Sequence, residues 1–175
     1  MRKIIFVCVV IALVAVVIWL VRGELKKPLG GGEAAKPENL KTVTLYFASK
    51  DAASLVPEYR DVKASDTVLD DLRRTVETLI SGPTGDMVGL FPPGVTVRGV
   101  FIDDKTAYID FSRQLTDDFS GGSAGEYLLV ASIVQTVCAN FPEISAVGIL
   151  VNGEEVDTIG GHMDISRPLH PKDWR

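Results

Sequence analysis

Cysteine and histidine are scarce in this chain, with two of each in 175 residues. Cys8 lies inside an apolar run and Cys138 on the apolar side of an expected helix. The two cannot meet within one chain, so a disulfide framework is excluded. A domain of about 130 residues can fold on its hydrophobic core alone, and Cys138 reads as a small buried apolar residue. Zinc wants three or four His, Cys, Asp or Glu ligands at fixed spacings. His162 and Asp164 supply two at most, and His170 stands beyond Pro168, so no metal and no cofactor is expected. A basic stripe interleaved with aromatics is also missing. The whole chain carries −5, and setting aside the three basic residues among the first 22 leaves −8 on the other 153. Nucleic acid is therefore excluded as a ligand.

Long apolar runs are absent too, with one exception. Ile4 to Val21 is unbroken over 18 residues, with Arg2 and Lys3 before it and Arg22 after it. As a helix it measures about 27 Å, close to the hydrocarbon thickness of a bilayer. A cleaved signal peptide has a shorter apolar region ending in small residues. This run ends Ile-Trp-Leu-Val-Arg, so residues 1–22 read as an uncleaved signal anchor. The flanking charges are nearly balanced and say little about orientation. A short basic start followed by one folded domain favours the amino terminus inside and the domain outside the cytoplasm. The expected location is a bacterial cytoplasmic membrane, crossed once through residues 4–21.

Residues 23–41 (GELKKPLGGGEAAKPENLK) have no apolar periodicity and read as a flexible tether. Residues 42–169 read as one α/β unit and 170–175 as a loose tail. Thr42–Ala48 is β-branched and aromatic, a strand. A polar, irregular connection follows, with a short edge segment at 55–59. Helix one starts at the N-cap Asp66, carries Val68, Leu69, Leu72, Val76, Leu79 and Ile80 on one face, and stops at Ser81-Gly-Pro83. Strands at 95–102 and 107–112 flank the turn Asp103-Asp-Lys105. Their alternate residues Val95, Val97, Phe101, Ala107, Ile109 and Phe111 are assigned inward. A second, more apolar helix spans about 123–140, with Tyr127, Val130, Ala131, Val134, Val137 and Cys138 innermost. Ala146–Val151 looks like a central strand, and Asn152-Gly153 turns into a return strand at 155–158. The expected fold class is α+β, a β-α-β-β-α-β-β sandwich with two helices on one sheet, plus the N-terminal transmembrane helix.

Several segments together resemble the GerMN domain family of GerM-like sporulation and spore-germination proteins. They are Leu79-Ile-Ser-Gly-Pro83, Phe91-Pro-Pro-Gly-Val95, Ala107-Tyr-Ile-Asp-Phe-Ser112, the Gly-Ser loop before the second helix, Asn140-Phe-Pro142, and Val151-Asn-Gly153 ahead of Gly160-Gly161. No single segment is specific; their order and spacing over residues 42–169 are. The resemblance implies a membrane- or lipid-anchored extracytoplasmic protein with no catalytic signature, related to domains that assemble envelope complexes and to ring-building motifs. One copy on a transmembrane anchor departs from the tandem pattern, so a sporulation role does not carry over.

Thr158-Ile-Gly-Gly-His-Met-Asp-Ile-Ser-Arg-Pro-Leu-His170 has the look of an active-site loop. A hydrolytic triad, however, needs groups that converge from separate elements. His162, Asp164 and Ser166 alternate along one segment. The carboxylate pairs Asp117-Asp118 and Glu154-Glu155 are adjacent in sequence and diverge, unlike a glycosidase pair. Asp103, Asp104 and Asp110 make a weak cation site, two on a turn and one on a strand. The Gly-Gly before the second helix could cradle an anion, but Glu126 already meets the helix dipole there. No catalytic residue is therefore assigned. Gly160 and Gly161 form a structural turn, Met163 and Ile165 face the core, and His162, Asp164, Ser166 and Arg167 face outward on an edge strand ended by Pro168. Arg167 is expected to pair with Asp164 or Asp110. Those four are the candidate interaction surface of a non-catalytic module for protein–protein contact or envelope-complex assembly. Its expected partners are envelope proteins or a second copy of itself. The alternatives are a module binding peptidoglycan or another envelope glycan, and less favoured a cell-wall hydrolase accessory.

Overall fold

The computed structural model describes residues 39–174. The apolar run at 4–21 and most of the tether lie outside the described residues. Among the described residues no helix is long and apolar enough to cross a membrane. Strand β1 (Leu40–Ala48) takes up the last two residues expected in the tether, and β2 (Leu55–Lys63) pairs with it antiparallel along its whole length. The short edge segment expected at 55–59 starts where β2 does but extends to nine residues. Its inward residues alternate as Val56, Glu58, Arg60 and Val62, and two of these are charged. Arg60 and Glu58 satisfy each other; the guanidinium also donates to the Gly82 carbonyl at 3.0 Å and lies over the Phe47 ring. Hydrophobic periodicity is blind to such a pair.

Helix α1 (Val68–Ile80) begins one residue later than expected. The Thr67 hydroxyl, rather than Asp66, accepts from the Asp70 amide at 3.1 Å. Leu72, Val76 and Leu79 enter the core, while Val68 and Leu69 stay exposed on its first turn. Strands β3 (Val97–Asp103) and β4 (Thr106–Phe111) form a hairpin closed at Asp104, whose φ is 50°. A bulge between Val97 and Gly99 shifts the register by one residue. Because side chains alternate with period two, the shift moves Phe101 to the outer face, where it is 46% exposed and stacks on Tyr108. Val100 and Ile102 take the inward positions that Phe101 was expected to share with Val95 and Val97, opposite Ile109 and Ala107.

After a short helix α2 (Gln114–Asp117) comes α3 (Gly122–Asn140), buried on nearly every side. Strand β5 (Ala146–Val151) lies parallel to β4, so α3 serves as the crossover that a parallel pair requires. The Asn152-Gly153 turn leads to β6 (Glu154–Glu155), two residues rather than the four expected. The fold is mixed α+β, but its strands form two sheets, β1-β2 and β3-β4-β5-β6, where one was expected. The reason lies on α3. Ser132, Thr136 and Asn140, four residues apart, line one side of the helix and bond the open edge of β1. Asn140 takes both backbone groups of Thr44, at 2.9 and 2.7 Å; Thr136 accepts from the Tyr46 amide at 3.0 Å, and Ser132 donates to its carbonyl at 2.6 Å. Val88 satisfies both groups of Ala48. The edge of β1 is thereby used up without another strand, as a protected edge must be. Val43, Leu45 and Phe47 of β1 and Ala107, Ile109 and Phe111 of β4 share one core with α3, Val147 and Ile149.

Candidate functional site

The Thr158–His170 segment is a fixed loop and not an edge strand; no regular strand covers it. The reason is a residue assigned to another job. Glu126 sits in the second turn of α3, is fully buried, and points into the loop instead of serving the helix dipole. One carboxylate oxygen, Oε1, accepts from the amides of Ile159 and Gly160, and Oε2 from that of His162, all at 2.9 Å. The remaining amide of this run, Gly161, donates to Thr158 Oγ1 at 3.0 Å. Four consecutive amides thus converge on two side chains, which a strand could not arrange because its amides alternate in direction.

Both glycines are required. Gly161 adopts φ +90°, a conformation that L side chains rarely take. Gly160 sits against the Phe119 ring: a β-carbon there would lie 2.7 Å from ring atoms and 3.2 Å from Glu126 Oε2. The same ring presses on Gly121, so the glycine just ahead of α3 admits Phe119. Farther along, the Ile165 amide returns to the Asp157 carbonyl at 2.9 Å, and Leu169 pairs with Val147 through two backbone bonds. Ile159, Ile165 and Leu169 are the buried anchors; Met163 is half-buried.

His162, Asp164, Ser166 and Arg167 are all exposed, and the structure groups only part of the set. Asp164 Oδ1 accepts from the Ser166 hydroxyl at 2.6 Å and amide at 3.0 Å, while Arg167 stands 3.8 Å from Oδ2. The Ser166 bonds, and then Arg167, hold the Asp164 carboxyl below the ordinary carboxylate range. Asp110 pairs instead with Arg98, at 3.3 Å, and accepts from the Gly153 amide at 2.8 Å. No three His, Cys, Asp or Glu side chains among the described residues are placed to hold a metal ion. Cys138 is half-buried, and burial pushes its thiol up to about 11. The expected loose tail is docked. Pro171–Asp173 forms a 3₁₀ turn, Trp174 stacks on Tyr127 at 5.5 Å, and Gln135 Nε2 donates to the carbonyls of Pro171 and Trp174 at 2.8 Å each.

The buried carboxylate is the site residue that sequence reasoning missed. Its signal was present, since Glu126 is the one charged residue between Asp118 and Glu143. A lone charge in so apolar a helix requires a buried partner, and the amides of a Gly-Gly turn can be that partner.

A two-sheet α+β domain with a long buried crossover helix is the class this fold defines. The chain belongs to the Germane family, described as sporulation and spore germination, whose model matches residues 44–157. That description names a process and no reaction. Among solved structures, the first GerMN domain of the sporulation protein GerM from Bacillus subtilis is similar at 24% identity and TM-score 0.64, covering 76% of this chain and 99% of that one. The tandem GerMN domains of the same protein match at 24% and 0.61, covering 77% of this chain and 47% of that one. A candidate lipoprotein from Clostridium perfringens matches at 25% and 0.54, covering 77% of this chain and 90% of that one. No curated protein matches.

Proposed function

We propose that this chain is a non-catalytic module, anchored in a bacterial membrane through residues 4–21 and facing out of the cytoplasm, that docks an envelope protein through its Thr158–Pro168 loop. One observation carries the reading: a fully buried carboxylate is committed to the backbone shape of a loop whose polar side chains face solvent. Burying a carboxylate is costly unless every lone pair is used. A fold that accepts this to fix an exposed loop presents a preorganised surface, and preorganisation lowers the entropic cost of binding. The family match supports the reading only as far as a sporulation and spore-germination process.

The test places a photo-crosslinking residue at His162 or Ser166 in the full chain within native membranes. A discrete envelope-protein adduct that is lost on Asp164→Ala with Arg167→Ala is expected, with no such adduct from Lys105. Adducts to sacculus material alone would favour the glycan reading. Muropeptide turnover abolished by His162→Ala or Asp164→Asn would overturn the non-enzymatic one.

A further inference from the structure

Beside the loop, a trough runs along the outer side of α3, and we infer that it seats an extended peptide segment of the partner, apolar in its middle and basic at its ends. The inference rests on the partner-binding reading above and names the ligand class. Two cavities, about 640 and 420 Å³, adjoin through shared Ala52, Ala124 and Leu128. Their α3 residues run from Ser123 to Gln135. Twelve helical steps make about 18 Å, the length of roughly five extended residues. The floor is small (Ala52, Ala124, Ala131), and aromatic rings form the walls at both ends, Phe91 and Phe119 at one and Tyr127 and Trp174 at the other. The Trp174 wall is held in place by Gln135 and Tyr127, so the trough exists before anything enters it. Aromatic-lined grooves of this kind take extended peptides.

Charge selects among occupants. No charged residue lines the larger cavity, and Asp118 is the one that lines the smaller. Asp51 precedes Ala52 in the chain and Asp173 precedes Trp174, beside Lys50 and Lys172. Lys50 is taken by Asp86 at 3.5 Å, and Asp164 by Arg167. A lining that is neutral but for Asp118 disfavours acidic peptides and favours cationic flanks. Met163 carries the loop into the trough wall, which makes loop and trough one continuous surface.

The chain has two tryptophans, so Trp19→Phe leaves Trp174 as the only emitter in the full-length protein. That variant is titrated with heptapeptide pools of five apolar residues between two lysines, with the same pools ended by glutamates, and with chitotetraose. The lysine-ended pool is expected to shift Trp174 emission saturably and to bind at least tenfold more tightly than the glutamate-ended one. Ala124→Phe fills the trough from an exposed position and is expected to weaken binding at least tenfold with the thermal midpoint unchanged. No saturable shift from either pool, equal affinity for both, or a response to chitotetraose alone would overturn the inference. Peptide binding without a loop crosslink would sink the docking loop and leave the trough standing. A loop crosslink that persists in Ala124→Phe, with no peptide binding, would sink the trough alone.

Discussion

Glu126 shows how much one side chain decides here. Its two oxygens meet three amide donors. Glu126→Gln keeps the shape but turns an NH₂ group toward one of those amides, leaving a buried donor facing a donor. Such a loss costs about 1–3 kcal/mol. The urea midpoint of the variant should fall accordingly, and the Gly160-Gly161 bonds should become the first sites of proteolytic cleavage. An unchanged midpoint would show that the clamp is incidental. Gly160 and Phe119 belong to the same arrangement, since the ring occupies the space a β-carbon would need. The residue types were plain in the sequence, but their meeting was not, because 34 positions separate Glu126 from Gly160.

At the level of elements, the polar stripe of α3 separates the two sheets. Asn140 makes three bonds, to both backbone groups of Thr44 and to the Thr136 carbonyl, while Thr136 accepts one from Tyr46. Asn140→Ala therefore strips both groups of Thr44 and is expected to cost more than Thr136→Val, which orphans one amide at about 1–3 kcal/mol. Hydrogen exchange at Thr44 and Tyr46 should accelerate in the respective variants. Equal loss in both, or exchange unchanged, would sink this account of the sheet boundary. Strands β1, β4 and β5 were legible from their alternation or their continuous apolar character. Strand β2 was legible only in its first half, as an edge segment at 55–59, because its inward face carries an ion pair. Phe101 was placed on the wrong face because a bulge adds a residue without changing the apparent alternation. The spacing of Ser132, Thr136 and Asn140 stood in the sequence, but a polar residue in a helix says nothing about which backbone it will meet.

Acid stability belongs to the whole molecule, because its controlling carboxylates tie separate parts together. Asp71 joins α1 to β1 and to the segment before it. Burial pushes its carboxyl up, but the Ser65 amide at 2.8 Å and Lys41 at 3.2 Å outweigh that and hold it below its ordinary 3.8. Glu58 is likewise held below its ordinary 4.5 against burial, by the Thr84 amide and Arg60. A carboxyl depressed in the folded state contributes stability above its unfolded value, and that contribution is lost as pH falls through the folded one. Unfolding free energy should therefore hold from neutrality to about pH 4.5 and decline below it. Asp71→Asn should flatten part of that decline while lowering stability at pH 7. A wild-type profile that stays flat down to pH 3 would sink the argument.

What the sequence determined by itself was local: the apolar run, the α1 and α3 segments, the Asn-Gly turn, the mixed α+β class and the family resemblance. All but the resemblance rest on composition or periodicity over adjacent residues, and the resemblance rests on the order and spacing of short segments. Tertiary structure decided the division into two sheets, the face of Phe101, the docked Trp174 and the carboxylate-held loop. Each of those depends on a polar group finding its partner across the fold. Apolar residues announce their burial by repeating, whereas a buried polar residue is defined by a partner that can lie anywhere in the chain.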